Sequence, residues 1–67
     1  MSWQAEMQAV QGDWATNGLY FATEQEAKDY GKELLSRWFG AKDTRPIQSD
    51  EPVNYTFDWT HGAQPIE

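Results

Sequence analysis

The chain has 67 residues, eleven acidic against five basic, a net charge of −6, no cysteine and one histidine. That allows one small domain and excludes disulfides and Cys/His metal sites. It also argues against direct binding to a phosphate backbone or an anionic membrane. No apolar run approaches the roughly 20 residues of a membrane span. The start, Met1 to Glu6, lacks a basic stretch followed by an apolar one, and the absence of cysteine suits a reducing compartment, so a cytoplasmic setting is expected. Four Trp, three Tyr and three Phe must supply the packing that a domain this short needs.

Taken in chain order, Trp3, Ala5, Met7 and Ala9 alternate with Gln4, Glu6 and Gln8, which suggests a strand. Trp3, Met7 and Val10 also fit a helix face, and Ala and Gln favour helix. The strand is preferred because Gln11-Gly12-Asp13 is a turn signal and Trp14 to Phe21 reads as a partner strand. Asn17-Gly18 interrupts that partner as a bulge or a second tight turn.

Thr23-Glu24-Gln25-Glu26 is a capping box. Ala27, Tyr30, Gly31, Leu34, Leu35 and Trp38 follow at spacings of three and four, one helical face. Glu24–Lys28, Asp29–Lys32 and Glu33–Arg37 pair on the other face, and Gly40 is a natural stop. The spacing predicts a helix over 24–38, with Leu34 and Trp38 in the core's main wall.

Beyond the helix, Thr44 to Gln48 reads as a strand. Pro46 has no N–H, so that strand belongs at an edge or at a bulge. Ser49-Asp50-Glu51-Pro52 is turn chemistry. Val53, Tyr55, Phe57 and Trp59 then alternate with Asn54, Thr56 and Asp58 as a strand. The two strands are expected to form a hairpin. The fold expected is α+β, ββαββ, one amphipathic helix packed on a small antiparallel sheet. Residues 1–60 form the domain and 61–67 a flexible tail.

The runs Leu19 to Ala27, Tyr30, Arg37-Trp38, Asp43-Thr44-Arg45 and Ser49 to Tyr55 resemble a family of small uncharacterised bacterial and phage proteins. The likeness covers residues 14–58. It implies a bacterial or phage setting and assigns no catalytic residue. Where the family has a β-branched residue this chain has Pro46, which interrupts the regularity of that strand.

Each candidate site has a plainer reading beside it. Asp50-Glu51 offers paired carboxylates for a cation or a glycosidic bond, but the same residues open a turn. His61 is a possible general base with only Asp58 or Asp50 to orient it. Ser2, Ser36 and Ser49 lack a nucleophile context, and no Gly-rich phosphate loop is present. Asn54-Tyr55-Thr56 matches a glycosylation sequon by chance, within a strand. No catalytic residue, cofactor or metal is therefore expected, and the chain reads as a non-enzyme.

The aromatic residues of the strands offer stacking surfaces for single-stranded bases, but Lys42 and Arg45 alone are left to neutralise phosphate. Trp3 and Tyr20 are candidates for exposed interface anchors. Outside the near-balanced helix, seven acids face two bases. Asp43, Asp50, Glu51 and Asp58 gather around the expected hairpin. The leading expectation is a small acidic protein-interaction module that docks on a protein partner, in its sharpest form a DNA mimic seated in the basic groove of a host defence protein. The alternative is an accessory nucleic-acid-binding domain using sheet aromatics.

Overall fold

The computed structural model describes residues 1–66. Five strands and one helix follow in the order β1 (Ser2–Ala9), β2 (Trp14–Ala15), α1 (Glu24–Arg37), β3 (Ala41–Ser49), β4 (Tyr55–Asp58) and β5 (Gly62–Pro65). The architecture is α+β. The strands form two antiparallel sheets, β2-β1-β3 and β4-β5, and α1 packs against β1, β3 and β4.

The period-two pattern at the N-terminus does make a strand. Ala5 and Met7 are buried toward the helix, while Gln4, Glu6 and Gln8 lie half-buried on the opposite face. The partner strand is shorter than Trp14–Phe21. Only Trp14 and Ala15 pair continuously with β1, opposite Gln8 and Met7. The chain then arches away around Asn17-Gly18 and returns at Phe21, which exchanges backbone bonds with Trp3 at 2.8 and 2.6 Å. The return places Phe21, fully buried, at the centre of the core.

The helix begins as its capping box dictates: Thr23 Oγ1 accepts from the Glu26 N–H at 3.1 Å. It ends at Arg37, where Trp38 turns extended, so no left-handed Gly40 is needed to stop it. The expected wall is realised at its N-terminal half. Ala27, Tyr30 and Gly31 are buried, Leu34 and Leu35 are half-buried, and Trp38 is exposed. Trp38 therefore does not belong to the core. The residue lies beyond the last helical turn, as the extended C-cap. Gly31 permits the close approach of helix and sheet: a Cβ there would run into Thr44 Oγ1. Phe21, Tyr30 and Phe57 stack in sequence, with ring centroids 5.2 and 6.1 Å apart.

The expected hairpin between 44–48 and 53–59 does not form. β3 pairs along its length with β1, from Ser2↔Ser49 to Gln8↔Asp43. Pro46 explains why it pairs on one side only, since a strand lacking that N–H cannot sit mid-sheet. β4 pairs instead with β5, Tyr55↔Pro65 through Asp58↔Gly62. Residues 62–65, expected within a loose tail, are thus strand. The turn that returns them is set by Asp58, whose Oδ1 accepts the Thr60 and His61 N–H groups, and by Gly62 at φ 75°. Glu67, the last residue of the expected tail, lies outside the described residues. Among the described residues no helix is long and apolar enough to cross a membrane.

Candidate functional site

The residues expected to form one acidic surface are carried by different elements. Asp43 lies near the start of β3 and Asp50 just past its end, about 23 Å apart at the rise of an extended strand. Asp50 and Glu51 are exposed in the connection to β4, where Ser49 Oγ accepts the Glu51 N–H at 3.1 Å. Asp58 belongs to the other sheet. With the hairpin absent, no single strand face presents these carboxylates in a row. Asp43 has a local partner as well: its Oδ1 accepts the Thr44 N–H at 2.8 Å.

Trp3 and Tyr20, expected as exposed anchors, are half-buried. Trp3 is tied into the sheet by its exchange with Phe21 and packs against the core. The Tyr20 carbonyl accepts both the Asn54 and Tyr55 N–H groups, and its own N–H goes to Asn54 Oδ1 at 2.8 Å. Asn54 completes this joint by donating to the Gly18 carbonyl. The sequon asparagine is thus a brace between the arch and β4.

His61 and Asp58 do meet, with Nδ1 3.2 Å from Oδ1. Their side chains are 64% and 54% exposed on a turn, and neither lines the cleft of about 60 Å³ beside α1. The turn holds the Asp58 carboxyl below its usual 3.8, chiefly through the His61 backbone N–H; desolvation opposes this, and the His61 ring and the Thr60 N–H add to the lowering. The pair can brace a hairpin. A general base also needs a recess that holds a substrate against it. Among the described residues no cluster of three or more His, Asp or Glu suits a metal.

On the face of the first sheet away from the helix, the Arg45 guanidinium lies 3.9 Å over the Trp14 ring and binds Glu6 Oε1 at 2.6 Å. This joins a base to an aromatic residue, the feature that nucleic-acid binding requires. Glu6 neutralises the base, however, and Asp43 flanks it on the same face. Lys42 falls where the β1–β3 register shifts, away from the stacked pair.

No expected element includes Phe39, whereas Val10 fits the alternative helix face and Trp38 is expected in the core. Phe39 is fully exposed, Val10 is 61% and Trp38 43% exposed. All three adjoin Gly40: Trp38 and Phe39 precede it in the chain, its carbonyl accepts the Val10 N–H at 3.1 Å, and a Cβ placed on it would lie 3.0 Å from Trp38 Nε1. Trp38 also lines the cleft with Met7, Ala15, Thr16, Asn17 and Leu34. The available signal was that Phe39 follows the helical stripe and comes before the strand expected at Thr44 to Gln48, so no element claims it. Single exposed apolar residues are ordinary, whereas three aromatic and branched residues gathered at one end are not. No family model, curated protein or solved structure matches the chain.

Proposed function

We propose that this chain is a non-enzymatic protein-interaction module whose docking surface is the end formed by Val10, Trp38 and Phe39. The observation that carries this is the complete exposure of Phe39 beside Trp38. An exposed Phe has no stabilising role in the isolated chain, while aromatic side chains desolvated at the centre of a contact supply most of its binding energy. The exposed acids Asp13 and Asp43 lie on the segments flanking this end, in a chain of net charge −6. The partner that suits it is a protein with an apolar recess on a positively charged surface, drawn in by the overall field.

The narrower idea, an inhibitor of bacterial or phage origin that imitates DNA in a defence protein's groove, draws support from the net charge alone. The scattered carboxylates give phosphate mimicry no row. Nucleic-acid binding is less favoured still, because the Arg45–Trp14 pair is already neutralised by Glu6.

The test is a photoreactive phenylalanine analogue placed at position 39 and, separately, at exposed position 51, in cells that make the protein. Adducts with one basic protein at 39 and not at 51 are expected. Equal labelling from both positions, or none from 39, would reject the docking end.

A further inference from the structure

Both sheets leave one long edge open, β3 in the first and β5 in the second. In an antiparallel ladder, residues alternately aim their N–H and C=O at the neighbouring strand and away from it. The direction at each position of this chain follows from bonds already described. Trp3 exchanges both of its bonds with Phe21, so odd-numbered residues of β1 point away from β3 and even-numbered ones toward it. Through the register Gln4↔Ile47 and Glu6↔Arg45, the residues of β3 bonded to β1 are Arg45 and Ile47. Those aimed outward are Thr44, Pro46 and Gln48. Pro46 has no N–H to offer, and the Thr44 N–H is already held by Asp43 Oδ1 at 2.8 Å. Of three outward positions, only Gln48, near the strand's end, still offers a free N–H.

The second sheet repeats the arrangement. Ile66 N–H bonds the Asn54 carbonyl, so even-numbered residues bond across the β4–β5 ladder and odd-numbered ones point out. On β4 the outward N–H groups are both taken, Tyr55 by the Tyr20 carbonyl and Phe57 by Glu26 Oε2. On β5 the outward positions are Ala63 and Pro65, and the second again lacks a donor.

We propose that Asp43, Pro46 and Pro65 are edge guards: they close both open edges to strand addition, including addition of a second copy. An added strand needs donors and acceptors in alternation, and it would leave its own carbonyls unpaired against this edge. Asp43 is then a blocking residue, and partners are directed to the end around Phe39.

Sedimentation equilibrium of the folded chain tests this, with the parent expected to be monomeric. The double variant Asp43→Ala/Pro46→Thr restores two outward donors and should self-associate at least about tenfold more tightly, the factor that corresponds to about 1.4 kcal/mol. Its association should survive an added Phe39→Ser and should slow amide exchange at Thr44 and Gln48. Pro65→Thr gives the same readout on the other sheet without touching the β1–β3 pairing. The idea is overturned if these variants, folded by circular dichroism, stay as monomeric as the parent. It is equally overturned if their association vanishes with Phe39→Ser, or if the parent already pairs through β3.

Discussion

The Glu26 carboxylate is bonded to the backbone of Phe57, thirty-one residues on: Oε2 accepts the Phe57 N–H at 3.2 Å and the Thr56 hydroxyl at 2.9 Å. Its other oxygen accepts the Thr23 hydroxyl at 3.1 Å. One side chain therefore finishes the helix cap and fastens the second sheet to the first layer. Besides its partner β5, β4 packs on α1, and the Tyr20 carbonyl, which accepts the Asn54 and Tyr55 N–H groups, is the second backbone link on that side.

Glu26→Ala should cost about 1–2 kcal/mol, the range for charge-assisted bonds reduced for partial exposure. The loss should be local before it is global. Amide exchange at Tyr55 and Phe57 should quicken while that of β1 is unchanged, and Glu26→Gln should recover part of the effect. Uniform acceleration across both sheets would show that the hairpin is held by packing alone.

Gly31→Ala offers a second test. In an exposed helix interior this change gains about 1 kcal/mol. Here the new methyl meets Thr44 Oγ1, and overpacking of that kind costs about 1–3 kcal/mol. The Thr44 hydroxyl is buried and has no partner among the described residues, so Thr44→Ala alone should be close to neutral. Combined with Gly31→Ala it should restore at least about 1 kcal/mol, a coupling that a double-mutant cycle in urea reads directly. Additive single effects would mean that the helix shifts to accommodate the methyl.

Acid should loosen the β4–β5 turn. The folded Asp58 carboxyl is held below its usual 3.8, mainly by the His61 backbone N–H. A lowered folded value means that the ionised form is favoured in the fold, so the stabilisation is complete above the unfolded value and is lost as pH falls through the lower folded one. Exchange at Thr60 and His61, corrected for intrinsic rates, should be steady from about pH 7 to 5 and should rise below about pH 4. Asp58→Ala should be loose at every pH. A parent profile parallel to that of the variant would refute the brace.

The helix was legible in the sequence because its signals are local: the Thr23–Glu26 cap, the stripe from Ala27 and, of the three expected ion pairs, Glu33–Arg37 at 2.8 Å all act within a few residues. The first strand was legible for the same reason. Pairing was not, because Val53 to Trp59 shows which residues alternate and not which edge accepts them. Pro46 carried the decisive information. Its missing N–H puts β3 at an edge, and with β1 on its one usable side no place remains for β4. The return strand Ala63-Gln64-Pro65 was hidden by weak β propensity, although Asp58 three residues before His61-Gly62 is a turn signal. For the candidate site, charge could be counted but not placed, and the exposure of Phe39 depends on the path of the chain between the end of α1 at Arg37 and the start of β3 at Ala41.

Two phenylalanines should separate folding from docking. Phe21 is fully buried against Tyr30, and Phe21→Ala should cost about 3–5 kcal/mol. In a small domain that is a large share of a total stability of roughly 5–15 kcal/mol. Phe39 buries nothing, so Phe39→Ser should change stability by less than about 0.5 kcal/mol, as ordinary surface changes do. It should also raise solubility, since it breaks the apolar end shared with Val10 and Trp38. Trp38→Ala should fall between the two, because one side of its ring lines the cleft with Leu34 and Met7 while 43% of the residue is exposed. Urea melts of the three variants give the order directly, and binding to the cross-linked partner gives the second axis. The docking end requires Phe39→Ser to keep the parent's melt and lose the partner. A variant that melts and binds as the parent does would reject that role for Phe39, and a loss of several kcal/mol would show that its ring is part of the core after all.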